Sequence, residues 1–491
     1  MLLALAATAA SAVLFFFGTG FAPIPALTWL APLPMLLLAP RVSGRAAFLL
    51  ASLAFLLGVT NQLTFFLRTP SVPQPIGFAI MIGSSLLFGL VVWLFQALAR
   101  RGLLLLAACA APAVWVAFMY LTAVTNPTGI VWPLATSVAG VPVVTQIASV
   151  TGAWGVEYVL LLAPAALAAV LWPGAAWRPR LRTGAVGAAA CLLVLVFGAV
   201  RLAGPDPATG PRVAVMSATR YQWAPDAAAP DVQALIRDYV KEIAALPEGV
   251  DLVVLPEGTL GTDEASRDRA LAPLREVARE RGMDVVIGIV HSTPEIKYNY
   301  SVALPGDGSA PVFYTKWHFA PGIPFRHGDE LAFARDRVGL ANCMDLNFAS
   351  PIRDYARAGA RLMAVPAADE FGNGWQHSRM GLLRGVETGL PVAWAAQWGT
   401  PMISDAWGRV LAGTDTEGTR QPFVTAFADV PQGPGPTVYA RFGDWFAWLC
   451  LALTVAGLVA LRSVPRQPGR RVGGQDAVLQ RAAGEQEPSR R

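Results

Sequence analysis

With 491 residues, 54% of them hydrophobic and only 14% charged, the chain is too apolar to be an ordinary soluble globule. Its net charge of +5 sits mainly in arginines of short loops and of the C-terminal tail, a distribution that speaks to membrane orientation and not to nucleic-acid binding. There is no internal repeat and no Gly-rich phosphate loop, and the four histidines (His291, His318, His327, His377) lack zinc-ligand spacing, so neither a metal nor a cofactor is expected.

Taken in chain order, residues 1–205 read as a membrane domain of about seven helices, with apolar runs near the roughly 20 residues that span a bilayer. The expected spans are 2–17, 25–38, 46–67, 76–99, 103–124, 152–172 and 184–202. An eighth, at 445–461, falls within a C-terminal membrane segment 444–462, and the Gly-, Gln-, Arg- and Glu-rich tail 465–491 is expected to be disordered. The first run is not read as a cleavable signal, because the first arginine is Arg41 and a second apolar run follows directly. Arg41 and Arg45 follow the second span, Arg100 and Arg101 the fourth, and Arg178, Arg180 and Arg182 the sixth; Arg462, Arg466, Arg470 and Arg471 follow the last. The intervening loops hold only Arg68. Alternate basic loops predict cytoplasmic termini and a polar domain on the periplasmic or extracellular side of the cytoplasmic membrane. Asn61, Gln62 and Glu157 then lie toward the outer face, either at the interface or lining a cavity. Residues 126–151 are too broken by proline and glycine to span, and are expected to lie on the membrane surface as part of an entrance.

From 212 to 430 the pattern changes to short β-rich runs alternating with amphipathic helices, which predicts one α/β layered domain. Strands are expected at 213–216, 252–255, 285–290, 302–304, 312–314, 338–341, 362–365, 392–395, 401–404, 410–412 and 423–426, and helices at 232–245, 264–281, 350–358 and 378–388. Three strand ends carry chemistry. Cys343, the one cysteine in this polar half, follows the apolar run Val338-Gly339-Leu340-Ala341, so it sits at a strand-to-helix turn where N–H groups stabilise a thiolate. Glu257 ends the run Leu252-Val253-Val254-Leu255-Pro256, and Lys316 ends Val312-Phe313-Tyr314-Thr315. Each alone is better read as the place where a core meets water. Together they suit acyl transfer through a thioester: Glu257 accepts the thiol proton, and Lys316 and the Met344 N–H hold the anion that develops.

A glutamate after a proline at a strand end, a lysine after an aromatic strand and a cysteine at a strand–helix elbow resemble the Glu-Lys-Cys triad of the nitrilase (carbon-nitrogen hydrolase) superfamily. Asp369-Glu370-Phe371-Gly372, Trp375-Gln376-His377 and Arg384-Gly385-Val386-Glu387 resemble the segment that follows the nucleophile there. The resemblance implies an external α-β-β-α sandwich inserted between the last two of about eight spans, as in the membrane-embedded N-acyltransferases of that superfamily. It implies Glu257, Lys316 and Cys343 as catalytic residues, Met344, Asp345 and Glu387 as oxyanion or supporting residues, and Trp317, His318 and Glu157 as substrate-binding residues. The implied partners are a membrane phospholipid as acyl donor and a diacylglyceryl lipoprotein as acceptor, with the chain acting as a monomer. Two departures stand out. Pro324 occupies about the place of a second glutamate usual in such enzymes, and Met344-Asp345 replaces the usual Tyr-Glu. Other readings stay open: a membrane-anchored hydrolase or acyltransferase for a different amine or amide, a Cys–His enzyme if His318 or His377 stands beside Cys343, or a non-catalytic transporter or sensor.

Overall fold

The computed structural model of the chain describes residues 1–69, 72–130, 133–204, 210–220, 222–370 and 372–465; the tail expected to be disordered therefore lies, beyond its first residue, outside the described residues. Among the described residues, six helices are long and apolar enough to cross a membrane, counting Gly44–Arg68 as one. The others are Gln74–Ala99, Leu104–Thr125, Ala153–Val170, Trp177–Leu202 and Trp445–Ser463, and a shorter apolar helix, Leu2–Gly18, precedes them. The expected span 25–38 is two short helices, Pro25–Leu30 and Leu33–Leu38. Pro32 and Pro34 lack the N–H that an unbroken helix requires, so the single helix is not formed. Within Gly44–Arg68 a tighter turn, Val59–Gln62, interrupts the α-helix, and Asn61 there donates to Phe16 O at 2.7 Å and Thr19 O at 2.8 Å. Helix Trp177–Leu202 leaves Leu192, Leu193 and Val200 more than half exposed, which is stable only where hydrocarbon replaces water.

Residues 126–151 depart from expectation. Among the described residues, those from 133 onward are mostly internal and not laid on a surface. Leu134–Val138 and most of the two short helices Pro142–Thr145 and Ala148–Thr151 are buried, wedged between the membrane helices and the α/β domain. Ile130 N donates to Asn347 O at 3.1 Å and Gln146 Nε2 to Trp407 O at 2.7 Å. The breaks that prevent a span give a chain that fills an irregular joint.

The α/β domain consists of two facing sheets. In spatial order one runs Phe423–Asp429, Arg212–Ala218, Leu252–Val254, Asp284–Ser292, Lys297–Leu304, Val312–Thr315, with Leu260–Asp263 also pairing on Asp284–Ser292. The other runs Val410–Gly413, Met402–Ser404, Val392–Gln397, Leu362–Ala368, Val338–Leu340, Phe333–Ala334. Every strand expected from sequence is present. Leu260–Asp263 and Phe333–Ala334 were not expected, the former because Leu-Gly-Thr-Asp reads as a turn and the latter because two residues carry no period. Val213, Val215 and Val254 of the first sheet meet Leu340, Val365 and Trp394 of the second in a common core. Helices Pro230–Ala244 and Arg267–Arg281 cover the outside of the first sheet through Ile236, Tyr239, Leu271 and Leu274. Helix Gly374–Thr388 covers the second, and its Met380, Leu382, Leu383 and Val386 join the core of the membrane half. This helix is thus the hinge-pin of the molecule, packed on a sheet on one side and on membrane helices on the other.

Candidate active site

The residues singled out from sequence meet where parallel strands end. Leu252–Val254 is followed by Glu257, Val338–Leu340 by Cys343, and Leu362–Ala368 by Asp369. Glu257 is brought close to its neighbour strand by Gly288, where a Cβ would fall 2.4 Å from the Glu257 Cα. Lys316 Nζ donates to Glu257 Oε1 at 2.6 Å, and the same oxygen accepts from Asn299 Nδ2 at 2.7 Å. Glu257 Oε2 accepts from Ala368 N at 3.2 Å. Both ends of this ion pair are buried, as is Cys343. These bonds hold the carboxylate in place, near enough to Cys343 for its charge to act on the thiol.

Cys343 opens a short turn, Cys343–Asn347, with φ of 41°, a conformation that a residue with a Cβ adopts only under constraint. The constraint comes from its neighbours. Asp345 Oδ2 accepts from Asn342 N at 3.0 Å and from Tyr314 OH at 2.8 Å; its Oδ1 accepts from Trp317 N at 3.2 Å and His318 N at 3.0 Å. Asn342 Nδ2 reaches Asn299 Oδ1 and Ser301 Oγ, both at 3.2 Å. One carboxylate thereby binds the nucleophile turn to the segment that carries Lys316. Asp345 is thus a buried strut between the two segments.

The electrostatics differ from the expected stabilised thiolate. Burial pushes the Cys343 thiol well above its usual range, Glu257 pushes it further, and Lys316 only partly offsets them. The thiol is therefore neutral near pH 7, and must hand its proton to a base as it attacks. For Lys316, burial favours the neutral amine, yet Glu257, Cys343 and Asp345 outweigh it and the ammonium persists to higher pH than usual.

Cys343, Glu257 and Lys316 line a cavity of about 780 Å³. Its walls are of two kinds. Polar-domain residues Met344, Asn347, Phe319 and Phe325 form one side, and Phe65, Val72, Ile76 and Ile80 from the membrane half form the other, with Asn126–Ile130 between. Met344 thus stands at the cavity. The stretch with Pro324 also borders it, through Phe319, Pro321, Ile323 and Phe325, while Glu370 enters the lining from the loop after Leu362–Ala368.

The three residues expected to bind substrate are elsewhere. Glu157 does not face this cavity: it is fully buried among the membrane helices, accepting from Trp115 Nε1 at 2.5 Å and Ala135 N at 2.9 Å, because the 126–151 segment folds in over it. His318 is turned away, stacked on Phe348 with centroids 3.6 Å apart and its Nδ1 3.1 Å from Asp345 Oδ1. Trp317 donates to Glu330 O at 3.2 Å. The backbone N–H groups of His318 and Trp317 both donate to Asp345, and neither side chain lines the cavity. Glu387 also lies off the cavity but is tied to it: its Oε2 holds Arg384 Nη1 at 2.5 Å, and Arg384 donates to Leu346 O at 2.9 Å and Asn347 O at 3.2 Å.

Of the two histidines held open for a Cys–His arrangement, His377 stands beside Cys343, and its pairing with Asp369 was not expected. His377 Nδ1 lies 2.7 Å from Asp369 Oδ1, and a ring nitrogen of His377, a carboxylate oxygen of Asp369 and Cys343 Sγ all lie within 4.8 Å of one another. Asp369 is raised from its usual range by burial, against which the His377 hydrogen bond acts. A strand end and the first turns of the following helix create this proximity; an eight-residue gap in sequence carries no recognisable spacing for it.

Known proteins resemble the chain in both halves. Residues 11–166 match the family described as apolipoprotein N-acyltransferase N-terminal domain, and residues 212–433 match the carbon-nitrogen hydrolase family. The chain is 28% identical over 492 residues to apolipoprotein N-acyltransferase of Gloeobacter violaceus, covering 91% of each. It is 27% identical over 479 residues to that of Geobacter metallireducens, covering 87% of this chain and 89% of the relative. The polar half is 30% identical over 212 residues to an omega-amidase of Bos taurus, covering 36% of this chain and 76% of the amidase.

Proposed function

Because the chain belongs to the apolipoprotein N-acyltransferases of the carbon-nitrogen hydrolase superfamily, we propose that it N-acylates lipoproteins in two half-reactions at Cys343. In the first, Glu257 takes the thiol proton as Cys343 attacks a phospholipid ester, and Lys316 with the Met344 N–H steadies the tetrahedral oxyanion. Glu257 returns the proton to the departing glycerol oxygen, leaving a thioester and a lysophospholipid. In the second, the α-amino group of a diacylglyceryl-cysteine attacks that thioester and carries the acyl chain away as an amide. The domain that holds Cys343 stands on the outer side of the cytoplasmic membrane, with both termini cytoplasmic.

The observation that carries this reading is the mixed wall of the cavity: a buried thiol beside the Glu257–Lys316 pair faces apolar side chains of membrane helices. An enzyme for soluble amides has no use for such a wall. An enzyme that draws an acyl chain from a bilayer needs it, since a free chain leaves the bilayer only at a cost of about 0.8 kcal/mol per CH₂. The test is reconstitution in phospholipid vesicles with a diacylglyceryl-cysteine peptide. The wild-type chain is expected to add one acyl mass to Cys343 and then to the peptide amine, and Cys343→Ala to do neither while still inserting. Transfer by the alanine variant would refute the assignment of the nucleophile.

A further inference from the structure

Thioester formation moves one proton, from the Cys343 sulfur by way of Glu257 to the leaving glycerol oxygen. N-acylation of an α-amine releases more. Such an amine has a pKa near ~8, so at neutral pH it arrives mainly as R–NH₃⁺. Of its three hydrogens one stays in the amide, one must reach the sulfur as the C–S bond breaks, and one must leave altogether. Glu257 serves the sulfur. The remaining proton needs a base of its own.

His377 is placed to be that base. A carboxylate accepts from Nδ1, so the hydrogen is on Nδ1 and the lone pair on Nε2. Nε2 is buried without a hydrogen-bond partner among the described residues, while His377, Asp369 and Cys343 all line the cavity. The pair is held firmly. Trp394 packs edge-on against the imidazole with centroids 4.9 Å apart, and Gly399 lies so close that a Cβ there would fall 2.3 Å from Asp369 Oδ2. The other ionisable groups around the imidazole are Glu370 beside Asp369, and Glu257 and Lys316 on the same cavity; on its own helix, Arg379 lies over the Trp375 ring and Arg384 is turned to the Leu346 carbonyl.

We propose that His377, oriented by Asp369, is a second catalytic base that deprotonates the incoming ammonium so that the amine can attack the Cys343 thioester. This rests on the N-acyl transfer reading above. His377 Nε2 takes the first proton and becomes an imidazolium paired with the Asp369 carboxylate. The freed nitrogen lone pair bonds to the thioester carbon, and the C–S bond breaks with its electrons going to sulfur. The second proton passes through Glu257 to that sulfur, the amide departs, and the imidazolium gives its proton to water. Asp369 is a positioning residue in this scheme.

The experiment uses the full chain in vesicles, loads Cys343 with acyl from phospholipid, and then follows transfer to a diacylglyceryl-cysteine peptide. His377→Gln is expected to load Cys343 as wild type does and to transfer at pH 7 about tenfold or more slowly. The deficit should shrink as pH rises past about 9, where the amine arrives free. It should be absent with hydroxylamine as acceptor, which is unprotonated at neutral pH. Equal transfer rates at pH 7, a deficit constant with pH, or an equal deficit with hydroxylamine would each overturn the proposal. If the glutamine variant fails to load, His377→Ala with added imidazole decides: recovered transfer supports the base, and unrecovered transfer overturns it. A wild-type chain that loads Cys343 but acylates neither acceptor refutes the functional reading and this inference with it.

Discussion

Burial acts unequally on Glu257, Lys316 and Cys343. Lys316 keeps its charge beside the Glu257 carboxylate at 2.6 Å, whereas the thiol is raised by burial and by Glu257 more than Lys316 can cancel. A thiol whose folded pKa is raised contributes stability below the unfolded value of about 8.5 and loses it as pH climbs, because the unfolded chain then releases a proton that the folded chain keeps. The melting temperature of the wild-type chain should therefore fall more steeply above pH 9 than that of Cys343→Ala, as read by thermal unfolding in detergent. Parallel slopes would mean that the thiol ionises freely in the folded protein. These three side chains were legible in sequence because each follows an apolar strand and a strand end is where a sheet delivers chemistry. For His377 the sequence held open a place beside Cys343, but not the pairing with Asp369 or the packing of Trp394 from another strand. Proximity to Lys316 along the chain likewise says nothing about which way a ring turns: His318 turns to Asp345, and Trp317 to the Glu330 carbonyl.

At the scale of elements, helix Gly374–Thr388 joins chemistry to membrane. Through Arg384 it holds the carbonyls of Leu346 and Asn347, just past the nucleophile. Through Glu387 it accepts from Ala153 N at 2.6 Å, at the start of membrane helix Ala153–Val170. Arg384 is buried, and although burial works against its charge, Glu387 more than restores it. Glu387→Gln leaves that guanidinium without its counter-charge, and a broken buried pair costs about 3–5 kcal/mol. The expected outcome is a large drop in melting temperature together with slower thioester loading, whereas a purely local loss of stability would leave loading intact once the chain is folded. The alternation of strands and helices was readable because buried strands are short apolar runs and the covering helices are amphipathic. The joint at 126–151 was not, since its burial is decided by two surfaces remote in sequence.

For the whole molecule, the arginine-bearing loops argue for a fixed orientation that labelling can check. In a chain whose Cys109, Cys191 and Cys450 are replaced, a cysteine at exposed Ser309 should react with an impermeant thiol reagent in intact cells. One at exposed Ala176, beside Arg178, should react only after the membrane is opened. The opposite pattern would invert the proposed topology.

The chamber at Cys343 is walled by both halves of the chain. In the proposed two-step reaction donor and acceptor each need the same sulfur, so the spent lysolipid has to vacate before the lipoprotein can enter. The expected kinetics are ping-pong: reciprocal rate plots at several donor concentrations should run parallel, and lysophospholipid should compete with the acceptor for the acylated enzyme.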